Sequence, residues 1–282
     1  MGKTLYRIVW RGTNAALLVA VLALFYSACW EYSVRRYLTG FADAVVPANT
    51  TPEQRVEAIL TWMRTGPPRS SDPTPTGLAF RNPETTLNYQ QLLSVCGTAT
   101  NAFLNLARTS GLQVRRLLLL TPDHRAKHVV AEVQLDGRWV VVDPTYRIIM
   151  RDAKGQMLTR RDLQNAENFA AATRRIPGYP QEYDYAKYAH VRVARLPLDG
   201  LHLRTVLDSV LPTWDERFDW SLFLERESFF VFALSAIATV LLLLSRIVLA
   251  WYADHRLMMP RFQLWSHLTR AGAAFFTTPE IK

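Results

Sequence analysis

Residues 229–251, FFVFALSAIATVLLLLSRIVLAW, run for 23 positions with a single charge, Arg246. A stretch this long and apolar can pair its backbone groups only as a helix, and about 20 such residues cross a bilayer. Arg246 lies near the end of the run, where its long stem can lift the guanidinium to the interface, and Trp251 and Tyr252 suit an aromatic belt. A second run, TNAALLVAVLALFYSACW over residues 13–30, follows a basic start and is near the lower limit for a span. It reads as an uncleaved signal anchor. A cleaved signal peptide is the alternative, since Ser27-Ala28 puts small residues near a cut. A lipoprotein site at Cys29 fits less well, because Tyr26 stands where a leucine-like residue is usual and bulky Trp30 follows.

The net charge of +9 supports the same layout. Lys3, Arg7 and Arg11 face no acid in residues 1–30, and Arg246, Arg256, Arg261, Arg270 and Lys282 outnumber Asp254 and Glu280 after residue 228. The basic excess thus sits beside the apolar runs, which predicts both termini on the cytoplasmic side and residues 31–228 outside the cytoplasm. Arg35, Arg36, Arg217 and Arg226 pull the other way by a smaller margin. Nucleic acid is not an expected partner, since Arg115-Arg116, Arg160-Arg161 and Arg174-Arg175 are scattered doublets rather than a basic face. The expected order is a cytoplasmic start (1–12), a first span (13–30), a linker (31–51), a domain (52–200), a membrane-proximal segment (201–228), a second span (229–251) and a cytoplasmic tail (252–282). Within the tail, residues 255–276 read either as an amphipathic helix lying on the membrane or as an extended segment. With only Cys29 and Cys96 in the chain, no disulfide framework is available.

The middle of the chain carries a thiol, an imidazole and a carboxylate in that order. Cys96 precedes GTATNAFLNLARTSG, in which Ala99, Phe103, Leu106 and Ala107 keep helical spacing and Gly111 is a stop. Ser94 is the expected N-cap, so Cys96 falls in the first turn, where unpaired N–H groups and the helix dipole favour a thiolate over a thiol of pKa roughly 8.5. HVVAEVQL and RWVVVD then flank Asp136-Gly137, a strong signal for a two-residue hairpin turn. With that turn Leu135 opposes Arg138, His128 faces Thr145 and Asp143 faces Val130. His128 and Asp143 become diagonal neighbours on one face, with backbones about 7–8 Å apart. Val129, Ala131, Val133, Leu135, Val140 and Val142 collect on the other face as core. These three groups are what thiolate catalysis needs: nucleophile, base and orienter.

VCGTATNAFLNLARTSGLQVRRL and HVVAEVQLDGRWVVVDPT resemble the core of the transglutaminase-like cysteine enzymes over roughly residues 52–150. The resemblance implies an α+β fold, with the Cys helix packed on an antiparallel sheet that carries the His and the Asp. It casts Cys96 as nucleophile, His128 as base and Asp143 as orienting carboxylate. No cofactor is implied. In papain-like enzymes, which share the site logic, a Gln stands at an offset matching Gln90, so Gln90 is the first choice of oxyanion donor, with the Cys96 N–H as second donor and Tyr89 a further candidate. The alternative is that Gln90 is polar surface. His124 and His128 are four apart, but a strand follows Thr121-Pro122-Asp123, so the helical spacing that would join them on a metal does not apply.

Around this core, Thr51-Pro52-Glu53 opens a helix with Val56, Ile59, Leu60 and Met63 as its apolar face, ended by Gly66-Pro67-Pro68. Residues 67–86 form a long Pro/Ser/Thr-rich loop, of a length usually tied to function or mobility. Tyr146–Met150 continues as an edge strand, Asp152–Gln156 turns, Arg160–Ala172 is a helix and His190–Arg195 alternates like a strand. IPGYPQEYDYAKY, residues 176–188, has no period; it reads as a packed crossing segment, with a substrate-groove lining as the alternative. Two functions are in play. The first is a membrane-tethered extracytoplasmic enzyme that moves acyl groups of protein or envelope-peptide amides through a thioester, with hydrolysis preferred to crosslinking. The second is a catalytically silent module binding peptide or polysaccharide partners in a membrane complex.

Overall fold

The computed structural model describes residues 2–66, 95–122, 126–191, 209, 211, 214 and 220–258. The chain divides into two units, residues 1–26 with 233–282 and residues 27–232. Helix α1 (Lys3–Val45) gives its first part to the former and the rest to the latter. In the first unit that part of α1 is joined by most of α6 (Glu227–Tyr252). Both helices are long and apolar enough to cross a membrane. Leu18, Phe25 and Ile247 are 61, 71 and 65% exposed, an apolar surface that water does not favour. The Arg246 guanidinium lies 5.2 Å above the Trp10 ring, so its charge rests on an aromatic face.

The second unit carries a five-stranded antiparallel sheet of order β4-β3-β2-β1-β5, built from β1 (Val114–Leu120), β2 (Ala126–Leu135), β3 (Arg138–Asp143), β4 (Ile148–Ile149) and β5 (Tyr188–Ala189). The β2–β3 register is the one the turn demands, from Leu135 opposite Arg138 to Ala131 opposite Val142. Asp136 and Gly137 both take positive φ, 48° and 76°, as a two-residue hairpin of this hand requires. A Cβ at Gly137 would meet nothing within 4 Å, so the cost of Gly137→Ala is backbone strain alone. Urea unfolding of that variant is expected to give a loss of about 1 kcal/mol with an unchanged m-value.

One face of the sheet packs on helices. Helix α2 (Pro52–Met63) starts with Pro52 in its first turn and a capping box, in which the Gln54 N–H donates to the Thr51 hydroxyl and the Thr51 N–H to the Gln54 side chain. Its Val56, Ile59, Leu60 and Met63 are buried against Phe103 and Leu106 of α3 (Cys96–Thr109) and against Val133, Val140 and Val142 of the sheet. Residues 31–51 were expected to be a linker, yet α1 runs through Val45 and buries Val34, Leu38 and Ala42 in the same core. The i, i+4, i+8 spacing of those three is an amphipathic stripe continuing past the apolar run.

The other face is also covered. Leu117, Leu119, Val130 and Val141 pack under α4 (Ala166–Thr173) and three buried tyrosines, Tyr179, Tyr183 and Tyr185. The single helix expected over residues 160–172 is instead a 3-10 turn, Asp162–Gln164, and then α4, divided at Asn165. The Asn165 side chain accepts from the N–H groups of Glu167 and Asn168, so it caps a new helix rather than continuing an old one. Residues 152–156 form the expected turn, in which Asp152 accepts from the N–H groups of Lys154 and Gln156. A short helix α5 (Trp220–Glu225) precedes α6, and Arg108 at the end of α3 donates to the Ser221 hydroxyl at 3.0 Å. Of residues 255–276, read as a surface helix or an extended segment, only 255–258 are described, where Ala253–Leu257 forms a π-helical turn after α6. Of His190–Arg195, read as a strand, residues 190 and 191 lie just past β5 and are not strand, and 192–195 lie outside the described residues.

Candidate functional site

Cys96 is the first residue of α3. Its N-cap is Val95 rather than Ser94, with extended backbone and no side-chain cap, so the first-turn N–H groups have no internal acceptor of that kind. Two bonds fix this end of the helix to the sheet. Thr100 donates to the Val129 carbonyl at 2.9 Å, and Arg116 from β1 donates to the Gly97 carbonyl at 3.2 Å. Cys96 is half-buried and packs beside Leu118, Val129 and Ala189.

His128 and Asp143 are both fully buried, and Nε2 of the ring lies 2.8 Å from Oδ2 of the carboxylate. Asp143 is held from four directions. Its Oδ1 accepts from the Thr145 N–H (3.0 Å) and the Tyr146 N–H (3.3 Å), and its Oδ2 accepts also from the Tyr179 hydroxyl (3.1 Å). The Asp-Pro-Thr order explains the first two: Pro144 has no N–H to offer, so the carboxylate folds over it to the next two donors. The bonds from Thr145, Tyr146 and Tyr179 leave Oδ2 aimed at the imidazole.

The charge of His128 follows from this setting. Burial alone pushes the ring toward its neutral form, but the Asp143 carboxylate and its hydrogen bond outweigh burial and raise the pKa to about 9. The Cys96 sulfur acts on the ring in the same direction more weakly. Nδ1 is buried and meets no group in good hydrogen-bond geometry, so Cys96 is a looser partner than Asp143. Near neutral pH the ring is therefore an imidazolium, gripped through Nε2 by a carboxylate and influenced by a sulfur.

The ring is also enclosed by aromatics. Tyr183 stacks on it with centroids 4.5 Å apart and planes 9° from parallel, and Tyr146 meets it edge-on at 6.1 Å. Tyr179 and Tyr185 share a 3.0 Å hydroxyl contact. Tyr146 follows β3, whereas Tyr179, Tyr183 and Tyr185 come from the stretch read as a packed crossing segment. Their signal in the sequence is only an aperiodic aromatic density, which names no partner. Gln90, Tyr89 and His124 lie outside the described residues, as does the loop at 67–86. Among the described residues no cluster of His, Cys, Asp and Glu could hold a metal ion.

With this geometry in place, the comparison with known families adds a class. Residues 39–144 match the family model of the transglutaminase-like superfamily, a span that contains Cys96, His128 and Asp143. The chain therefore carries a transglutaminase-like domain in an α+β setting, together with two helices apolar enough to span a bilayer. The matched span begins in the last turns of α1, earlier than the expected start at residue 52, where that helix enters the domain core. No curated protein and no solved structure matches the chain.

Proposed function

We propose that the chain is a membrane-tethered cysteine-dependent acyl-transfer enzyme, its domain outside the cytoplasm and both termini inside. Cys96 is the nucleophile, His128 the general acid and base, and Asp143 the carboxylate that holds the ring. The observation that carries this reading is the fully buried His128–Asp143 pair beside a cysteine that opens a helix.

The thiolate of Cys96 attacks an amide carbonyl carbon, and the carbonyl oxygen becomes an oxyanion facing the Cys96 N–H and a side-chain donor, Gln90 or Tyr89. Collapse breaks the C–N bond. The His128 proton goes to the leaving amine, giving an acyl-thioester on Cys96 and a neutral ring. Water, losing a proton to that ring, attacks the thioester, releases the acid and restores thiolate and imidazolium. An amine in place of water would give a crosslink. Hydrolysis is preferred because the sequence offers no recognisable second amine site. Substrates of the class expected are proteins or envelope peptides.

The test is capture of the thioester. Detergent-solubilised protein exposed to activated peptide esters should gain an acyl mass on the Cys96 peptide, sensitive to hydroxylamine and absent in Cys96→Ala. Absence of any adduct on Cys96, with unchanged partner binding in Cys96→Ala, would replace the enzyme by a silent binding module.

A further inference from the structure

We infer that the segment 179–185 is a positioning element for His128, in which Tyr183 and Tyr179 act on the ring's charge in opposite senses. As positioning for acyl transfer, this rests on the function proposed above. The stacked Tyr183 face lies over the imidazolium, an arrangement that favours the charged ring. Tyr179 donates to Asp143 Oδ2, the same oxygen that holds Nε2, and so takes up part of the carboxylate's charge.

The proton order along this chain is fixed by counting. A tyrosine has one O–H; since Tyr179 spends it on Asp143, Tyr185 must be the donor in the 3.0 Å contact between the two hydroxyls. The direction is Tyr185 to Tyr179 to Asp143. Burial first, and then the nearby carboxylate, push both phenols well above their usual range, so the chain stays protonated whenever the protein is folded. Tyr179 is thus a permanent donor rather than a titrating one. Among the described residues, those facing His128 are Asp143 from β3, Tyr146 beyond it, Cys96 from α3 and the tyrosine segment, in which Glu182 pairs with Lys127 at 3.4 Å.

Two substitutions should therefore move the ring in opposite directions. Tyr179→Phe leaves the whole Asp143 charge to the ring and should raise the His128 titration midpoint by about half a pH unit to one unit. Tyr183→Leu keeps an apolar cover but removes the π face, and should lower it by about one unit. Tyr183→Phe, which keeps the face, should restore the wild-type value. Ring carbon NMR on histidine-labelled protein in detergent, with His128 assigned by His128→Gln, reads all three. If Tyr179→Phe does not fold, Tyr185→Phe gives the same upward shift at smaller size by weakening the Tyr179 donor. Shifts of the same sign in the Tyr179 and Tyr183 variants, or none in either, would reduce the segment to packing. Failure of thioester capture with these opposite shifts intact would overturn the acyl-transfer reading alone. Capture with no shifts would overturn this one alone.

Discussion

Asp143→Ala lowers the unfolding free energy by about 3–5 kcal/mol, the loss expected when one partner of a buried charge pair is removed and the other stays behind. The Thr145 and Tyr146 N–H groups and the Tyr179 hydroxyl lose their acceptor at the same time. The effect on pH dependence is as informative as its size. In the wild type the folded pKa of His128, about 9, stands above its unfolded value. The pair's contribution is then fully present below about pH 6.5 and is lost as pH rises toward 9, a span equivalent to roughly 3 kcal/mol. In Asp143→Ala burial is opposed only by the weaker pull of the Cys96 sulfur, so the ring's pKa is depressed and stability should fall as pH drops below about 6.5. Urea unfolding at pH 5.5, 7 and 9 checks the inversion. An Asp143→Ala protein that keeps the wild-type pH trend would mean that the pair does not set the ring's charge.

His128→Ala should slow alkylation of Cys96 by iodoacetamide roughly ten- to fiftyfold at pH 5, and the two rates should cross between about pH 6 and 7, above which the variant is the faster. An ordinary thiol of pKa about 8.5 is only about 0.03% ionised at pH 5, whereas one paired with an imidazolium is mostly thiolate. Part of that difference is returned, because a thiolate of lower pKa is a weaker nucleophile, with a Brønsted slope of about 0.4–0.5. The diagnostic is shape. The wild-type rate should be nearly flat from pH 5 to 8, and the variant should climb close to tenfold per unit. Mass spectrometry of the two cysteine peptides separates Cys96 from Cys29. A wild-type Cys96 rate that climbs like the variant's would remove the ion pair from the mechanism.

The parts of the site that were legible in the sequence are those fixed by short-range rules. A positive-φ turn at Asp136-Gly137 sets the register of β2 against β3, and register alone brings His128 and Asp143 to one face. The Thr51-Pro52 start and the Val56, Ile59, Leu60, Met63 stripe gave α2 its bounds and buried face. What stayed hidden depends on contacts distant in sequence. His128 and Val130 look like the outward face of a half-buried strand until the strap of residues 176–188 closes over them. The continuation of α1 to Val45 was masked by the end of the apolar run, although Val34, Leu38 and Ala42 already marked a second stripe. Asn165 broke the expected helix because its side chain competes for backbone donors. Ser94 gave way to Val95 because cap preference is a statistical pull, and here bonds from Thr100 and Arg116 hold the helix start instead.

Both outermost strands of the sheet, β4 and β5, contain only two residues each. A longer border would expose a ladder of unspent N–H and C=O groups on which another extended chain could zip. With so little rail at either rim among the described residues, neighbouring copies have scant template for joining sheet to sheet, even when crowded. Within the described residues, the sheet's own rims therefore give fibre growth little to start from.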